Sequence, residues 1–275
     1  MNRRQRVLIF VHIQKTAGST VRWIIQRQYA QGRVLELGKT RDHLPQEQFR
    51  LLPQAERDQY DCLIGHIPYG LHELVSRPAD YITFLRDPLE RAASQFYYIC
   101  RTPANRIYPL VAATGFSIAE YARNEEFGRP DNMQVRYVTG AGTDGRMTAD
   151  DLERAKIALC ARYACFGLTE RFDESLVLLR RALGWGPLYY LEQNVTASRP
   201  PLAEIPGEAL EIFARKYSLD AELHAFARQE FARRVAALGN ALGRELAALR
   251  GLSAACGFVT RARAALNSAA RSEAQ

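Results

Sequence analysis

The chain has 275 residues, 47% apolar and 24% charged, enough to build a real core in one large domain or two small ones. Its first apolar stretch, Val7–Ile13, is short and carries His12, which argues against a signal peptide, and no run approaches the ~20 apolar residues of a bilayer span, so a cytoplasmic protein without a membrane span is expected. The net charge of +7, with only four lysines among 37 basic residues, favours an anionic ligand; no dense basic run with interleaved aromatics points to nucleic acid, and five cysteines without a C-x-x-C pair point to free thiols, with no metal site.

Val7–Ile13 reads as a buried strand, followed by a small-residue loop and a helix over Ser19–Tyr29, with Val21, Ile24 and Ile25 on one face. Val34–Leu37 reads as a strand, Gln46–Arg57 as a polar helix, and Asp61–Ile67 and Tyr81–Leu85 as strands. Pro88–Cys100 is a helix with a marked start: Asp87 as cap, Pro88 at the first position and Glu90 completing a capping-box pattern. Short helices are expected near Ser117–Asn124 and Asn132–Val138, and a longer one over Ala149–Cys160. Tyr163–Leu168 is a strand, Arg171–Leu183 a helix, and Leu188–Leu191 a last strand. From Glu208 the chain is helical, with Gly251 and Ser253 as expected breaks, so residues 1–250 form the domain and 251–275 a helical or frayed tail.

Strands alternating with helices predict an α/β fold, a central parallel sheet covered by helices in three layers. Ligands of such sheets bind at the C-terminal strand ends, where His12–Gly18, Gly65–His72 and Arg86–Asp87 all fall. The first of these segments is an anion cradle: backbone N–H groups at a helix start, the Lys15 charge, and the hydroxyls of Thr16, Ser19 and Thr20 around Ala17 and Gly18. It lacks the G-x-x-x-x-G-K-[ST] spacing of an ATP-binding loop, which sets a kinase aside. Taken alone, a small-residue turn before a helix is also a common structural device.

The segment "HIQKTAGST" resembles the 5′-phosphosulfate loop of sulfotransferases that use 3′-phosphoadenosine-5′-phosphosulfate (PAPS), in the carbohydrate branch that includes heparan sulfate 2-O-sulfotransferase, with Gln14 where that branch usually has proline. "FLRDPLERAASQFYY" is similar to the family's 3′-phosphate motif, which assigns Arg86 and Ser94 to that phosphate. "GHIPYGLH", "DNMQVRYVTG" and "FGLTERFDESLVLLRRALGW" match in order. The resemblance covers roughly residues 7–230 and implies a P-loop-like fold and metal-independent sulfuryl transfer from PAPS to a hydroxyl, most simply a saccharide's. Lys15 then neutralises the leaving phosphate and His66 is the base, with His72 the second candidate. Gln134 and Arg136 face the acceptor or, equally for Arg136, serve as a buried brace; Arg199 closes over the 3′-phosphate. The competing readings are a protein-tyrosine sulfotransferase and a non-catalytic nucleotide-binding protein, and the apolar face of the C-terminal helices suits either core packing or a homo-oligomer.

Overall fold

The structure is a computed structural model that describes residues 5–38, 43–124, 130–142, 145–191 and 200–272, with side chains to residue 258. Five strands, β1 (Val7–Val11), β2 (Val34–Leu37), β3 (Cys62–Gly65), β4 (Ala79–Leu85) and β5 (Tyr163–Leu168), form one sheet in the order β2-β3-β1-β4-β5. Every pairing is parallel, so all strand C-termini lie on one rim. All five residues of β1 are buried, as a continuous apolar run in the middle of a sheet covered on both faces must be. β1 is also where the order reverses: the chain builds β2 and β3 on one side of it, then crosses to place β4 on the other. The crevice outside the ends of β1 and β4 is therefore the place where such a sheet receives a ligand.

The helices α1 (Gly18–Gln28), α2 (Gln46–Leu51), α3 (Gln54–Arg57), α4 (Pro88–Cys100), α5 (Tyr108–Thr114), α6 (Ile118–Arg123), α7 (Met133–Thr139), α8 (Ala149–Ala161), α9 (Phe172–Ala182), α10 (Gly207–Lys216), α11 (Ser218–Ala236) and α12 (Asn240–Ser272) cover the sheet and build a helical flank. The main core joins the sheet to α1, α7, α8, α9 and α11. A second core binds α4, α6 and α10 through Phe96, Ile99, Tyr121 and Phe213. Among the described residues no helix is long and apolar enough to cross a membrane.

Four expectations are corrected. The helix expected over Gln46–Arg57 is two, because Leu52 is extended ahead of Pro53, whose ring disfavours helical backbone in the residue before it. Leu188–Leu191 is no strand: Leu188 is buried beside α9 and α12, the Tyr190 N–H donates to Ser253 Oγ at 3.1 Å, and the Tyr190 hydroxyl donates to Asp173 at 2.7 Å. Its polar groups are satisfied by a helix seam rather than a sheet edge. α12 runs unbroken through Gly251 and Ser253, where the sequence suggested an interruption. Glu90 does not close a capping box; Asp87 alone caps α4, accepting from the N–H groups of Leu89 and Glu90 at 3.0 Å each.

Candidate active site

The loop between β1 and α1 is wound tightly. Thr16 is buried and its hydroxyl donates to the Ile13 carbonyl at 2.8 Å. On either side of it, Lys15 and Ala17 adopt φ of 67° and 60°, a region that side-chain-bearing residues enter rarely and that persists only where surroundings enforce it. α1 then begins with no side-chain cap and no acidic residue in its first turn. The N–H groups of Ala17, Gly18 and Ser19 meet no acceptor among the described residues. A helix start with orphan donors and a lysine beside it is an electropositive cradle for an anion. Thr20 is buried on the first turn, and Ser19 is exposed.

Gly18 is required by a close approach. A Cβ on it would stand 1.6 Å from His12 Nε2, so the imidazole occupies the space a side chain would need. The His12 ring stacks on Phe10 and lies 4.2 Å, centroid to centroid, from the ring of His66. Burial first, then the charges of His66, Arg22, Lys15 and His43, push the His12 pKa well below the usual histidine value, so it stays neutral. His66 is exposed at the end of β3, and its Nδ1–H donates to the His12 carbonyl at 2.7 Å. A carbonyl only accepts, so the proton sits on Nδ1 and the lone pair of the neutral ring on Nε2. That is the tautomer a general base needs.

Across the crevice, Arg86 follows β4. Its Nη1 donates to the Lys15 carbonyl at 3.2 Å and its Nη2 pairs with Glu90 at 3.1 Å. Glu90, Ser94 and Tyr98 fall at four-residue intervals along α4 and so share one face. Ser94 is half-buried and has no hydrogen-bond partner among the described residues; Tyr98 carries the Lys15 ammonium 4.1 Å from its ring centroid. Desolvation, then the charges of Arg101 and Arg86, lower the Lys15 pKa to about 8. The loop of Lys15 and the strand end of Arg86 are thus joined into one basic site.

The other candidates are held by structural contacts. His72 is tied to Tyr81: its Nδ1 accepts from the Tyr81 hydroxyl at 3.0 Å, and its backbone N–H donates to that oxygen at 2.8 Å. Tyr81 stands well before the strand end at Leu85, and the Tyr69 ring packs against both it and His72. Gln134 and Arg136 are both buried, which for Arg136 agrees with the brace, the other of its two expected roles. Gln134 is fully buried, with its amide on the backbone of Arg86. Arg136, also buried, donates to the carbonyls of Asp131, Gly142 and Gly145 and to the Asp131 carboxylate, holding the turn after α7. The expected role of Arg199 falls outside the described residues.

The sequence reading missed the groups that organise this site. Tyr98, Glu90 and Arg101 surround the two cations, and the four-residue spacing from Ser94 was the available signal for the first two. Gln14 ties the loop to α7, its amide donating to the Tyr137 hydroxyl at 3.2 Å. Asp220 and Asn132 cap each other's helices: Asp220 accepts from the N–H groups of Gln134 and Val135, and Asn132 from those of Leu219 and Asp220. No local pattern announces a cap supplied from so far along the chain.

The family model for galactose-3-O-sulfotransferases matches residues 2–262. The chain is 32% identical to galactose-3-O-sulfotransferase 3 of Mus musculus over 261 residues, covering 86% of this chain and 59% of that protein. It is 27% identical to galactosylceramide sulfotransferase of Mus musculus over 267 residues, covering 90% of this chain and 62% of the relative. It spans about 60% of the length of the curated relatives it matches. A solved structure, mouse sulfotransferase SULT7A1 complexed with PAP, aligns with a TM-score of 0.36 and 13% identity over 77% of this chain and 64% of that one, too loosely to bear on the site. With a match that takes in the cradle at Lys15, the strand end at Arg86 and the helices that brace them, the chain belongs to the galactose-3-O-sulfotransferase family.

Proposed function

We propose that the protein is a sulfotransferase that moves a sulfuryl group from PAPS to a carbohydrate hydroxyl. The observation that carries this is the pair of anion sites on one crevice: the uncapped start of α1 with Lys15, and Arg86 tied to the Lys15 carbonyl. The donor set fits a bisphosphate nucleotide, with one cationic site for each phosphate. When bound, the donor supplies the sulfuryl group and leaves as adenosine 3′,5′-bisphosphate.

Each residue then has a task. The Lys15 ammonium and the orphan N–H groups of Ala17, Gly18 and Ser19 stabilise negative charge that grows on the 5′-phosphate side, with Thr20 beside them. Arg86 and Ser94 hold the 3′-phosphate, Arg86 exchanging Glu90 for it. His66 Nε2 takes the proton of the acceptor hydroxyl, its ring aimed by the bond from Nδ1–H to the His12 carbonyl. Family membership favours a sugar hydroxyl over a tyrosine's. The family model that matches is that of the galactose-3-O-sulfotransferases, in place of the heparan sulfate branch that the motifs resemble. The names of the relatives make a galactose-bearing saccharide or glycolipid the first acceptor to try.

The test is calorimetric titration with adenosine 3′,5′-bisphosphate beside adenosine 5′-monophosphate and magnesium-ATP, followed by transfer from labelled PAPS to β-galactosides. Selective bisphosphate binding and labelled galactoside are expected. Preference for magnesium-ATP, or no nucleotide binding, would overturn the reading. Bisphosphate binding without transfer to any acceptor would favour a non-catalytic nucleotide-binding protein.

A further inference from the structure

Lys15 is a cation in cationic company. Arg86 and Arg101 both bear on it, His12 stays neutral nearby, and Glu90, the acidic group on the facing side of α4, is paired with Arg86. Among the described residues Lys15 has no ion-pair partner, and its ammonium rests on the ring of Tyr98. An aromatic face is a neutral surface that attracts a cation, more strongly as its water is removed. Tyr98 stands one helical turn beyond Ser94, on the α4 face that already carries Glu90.

We propose that Tyr98 is a positioning residue for Lys15, its ring holding the side chain protonated and in place at the cradle while no anion is there. The proposal deepens the donor-site reading and rests on it. The neighbouring arginines draw an anionic donor to the site, yet the same charges favour loss of the lysine's proton. The ring offsets that loss without a fixed carboxylate, which would have to be displaced when a phosphate arrives. Glu90 is such a carboxylate for Arg86; among the described residues none pairs with Lys15.

The chain has four lysines, Lys15, Lys39, Lys156 and Lys216, so lysine labelled with carbon-13 at Cε gives a spectrum in which Lys15 can be assigned by substitution and titrated directly. Tyr98→Leu is expected to lower the Lys15 titration midpoint by roughly half a pH unit or more. Tyr98→Phe should leave it near the wild-type value, since the ring is kept, and Arg101→Gln should raise it. A cooperative thermal transition near the wild-type midpoint reports that each variant is folded. In transfer assays the alkaline limb of the donor kcat/KM profile, which reports the free enzyme, should move down in pH in Tyr98→Leu alone. An unshifted Lys15 midpoint in Tyr98→Leu, or an equal fall in Tyr98→Phe, would overturn the proposal. The donor reading is judged separately: if the wild-type protein bound no bisphosphate at any pH, that reading would fail while the titration still decided the role of the ring.

Discussion

Gln134 grips the backbone of Arg86 at both ends of its amide. Gln134 Oε1 accepts from the Arg86 N–H and Gln134 Nε2 donates to the Arg86 carbonyl, each at 2.9 Å. The residue that follows β4 and faces the cradle is therefore set by a helix from the middle of the chain. Replacing Gln134 by Leu removes the partners of two part-buried backbone groups and should cost about 1–3 kcal/mol in denaturant unfolding. Bisphosphate affinity should fall as well, because Arg86 loses its fixed origin.

Arg86→Ala should weaken adenosine 3′,5′-bisphosphate binding by about 10- to 100-fold in calorimetry, the loss expected for a charge-assisted contact. Glu90→Gln should act in the opposite sense. Removing the carboxylate that holds Arg86 Nη2 at 3.1 Å frees the guanidinium for phosphate, and affinity should rise roughly two- to fivefold at low salt.

His66→Ala should lower kcat by about 10²- to 10⁴-fold, the usual contribution of a positioned base, while bisphosphate binding stays near that of the wild type. A matching collapse of donor binding would make His66 a structural residue of the rim instead.

Gly18→Ala should be among the most damaging single-methyl changes in the protein. The added carbon has no place unless the His12 ring leaves, and that ring is packed against His66. Overpacking of this kind costs about 1–3 kcal/mol. The thermal midpoint should fall, and activity should fall further than stability alone explains.

Asp220 predicts a pH dependence. It is wholly buried, and desolvation raises its pKa to about 6 in spite of Arg91 and two backbone donors. Its folded pKa lies above the unfolded value, so the native state holds the proton more tightly. The stability this confers is fully present below about pH 4 and is lost as the pH rises through about 6. Asp220→Asn removes the titration. The stability of wild type relative to that variant should decline across this window and be flat on either side.

The parts legible in the sequence are those governed by near neighbours. The apolar run Val7–Ile13, of which Val7–Val11 is strand, the Asp87-Pro88 start of α4 and the bounds of β5 are local patterns that the structure carries. The rim was legible too, since a parallel sheet puts every strand end on one side. The segment Asn132–Gln134 was only half legible, because its polar residues look like a binding surface until their partners are known. Those partners, Arg86 and Asp220, lie 48 to 88 residues away. Leu188–Leu191 was misread because a short apolar run suits a strand or a helix seam equally, and only the packing of α12 separates the two.

The mutual capping of α7 and α11 also sets an order of assembly. The sheet is complete once the chain reaches Leu168, but the donors at the start of α7 wait for Asp220, and Asn132 waits for the N–H groups of Leu219 and Asp220. On the ribosome, where the N-terminal part of a chain folds first, the scaffold forms before the Arg86 site is fixed. Nascent chains arrested with residue 200 just outside the exit tunnel should resist proteolysis across the sheet yet fail to retain the bisphosphate. Competence should arrive only when α11 emerges, so that the last turn of synthesis to matter for the cradle is one that never touches it.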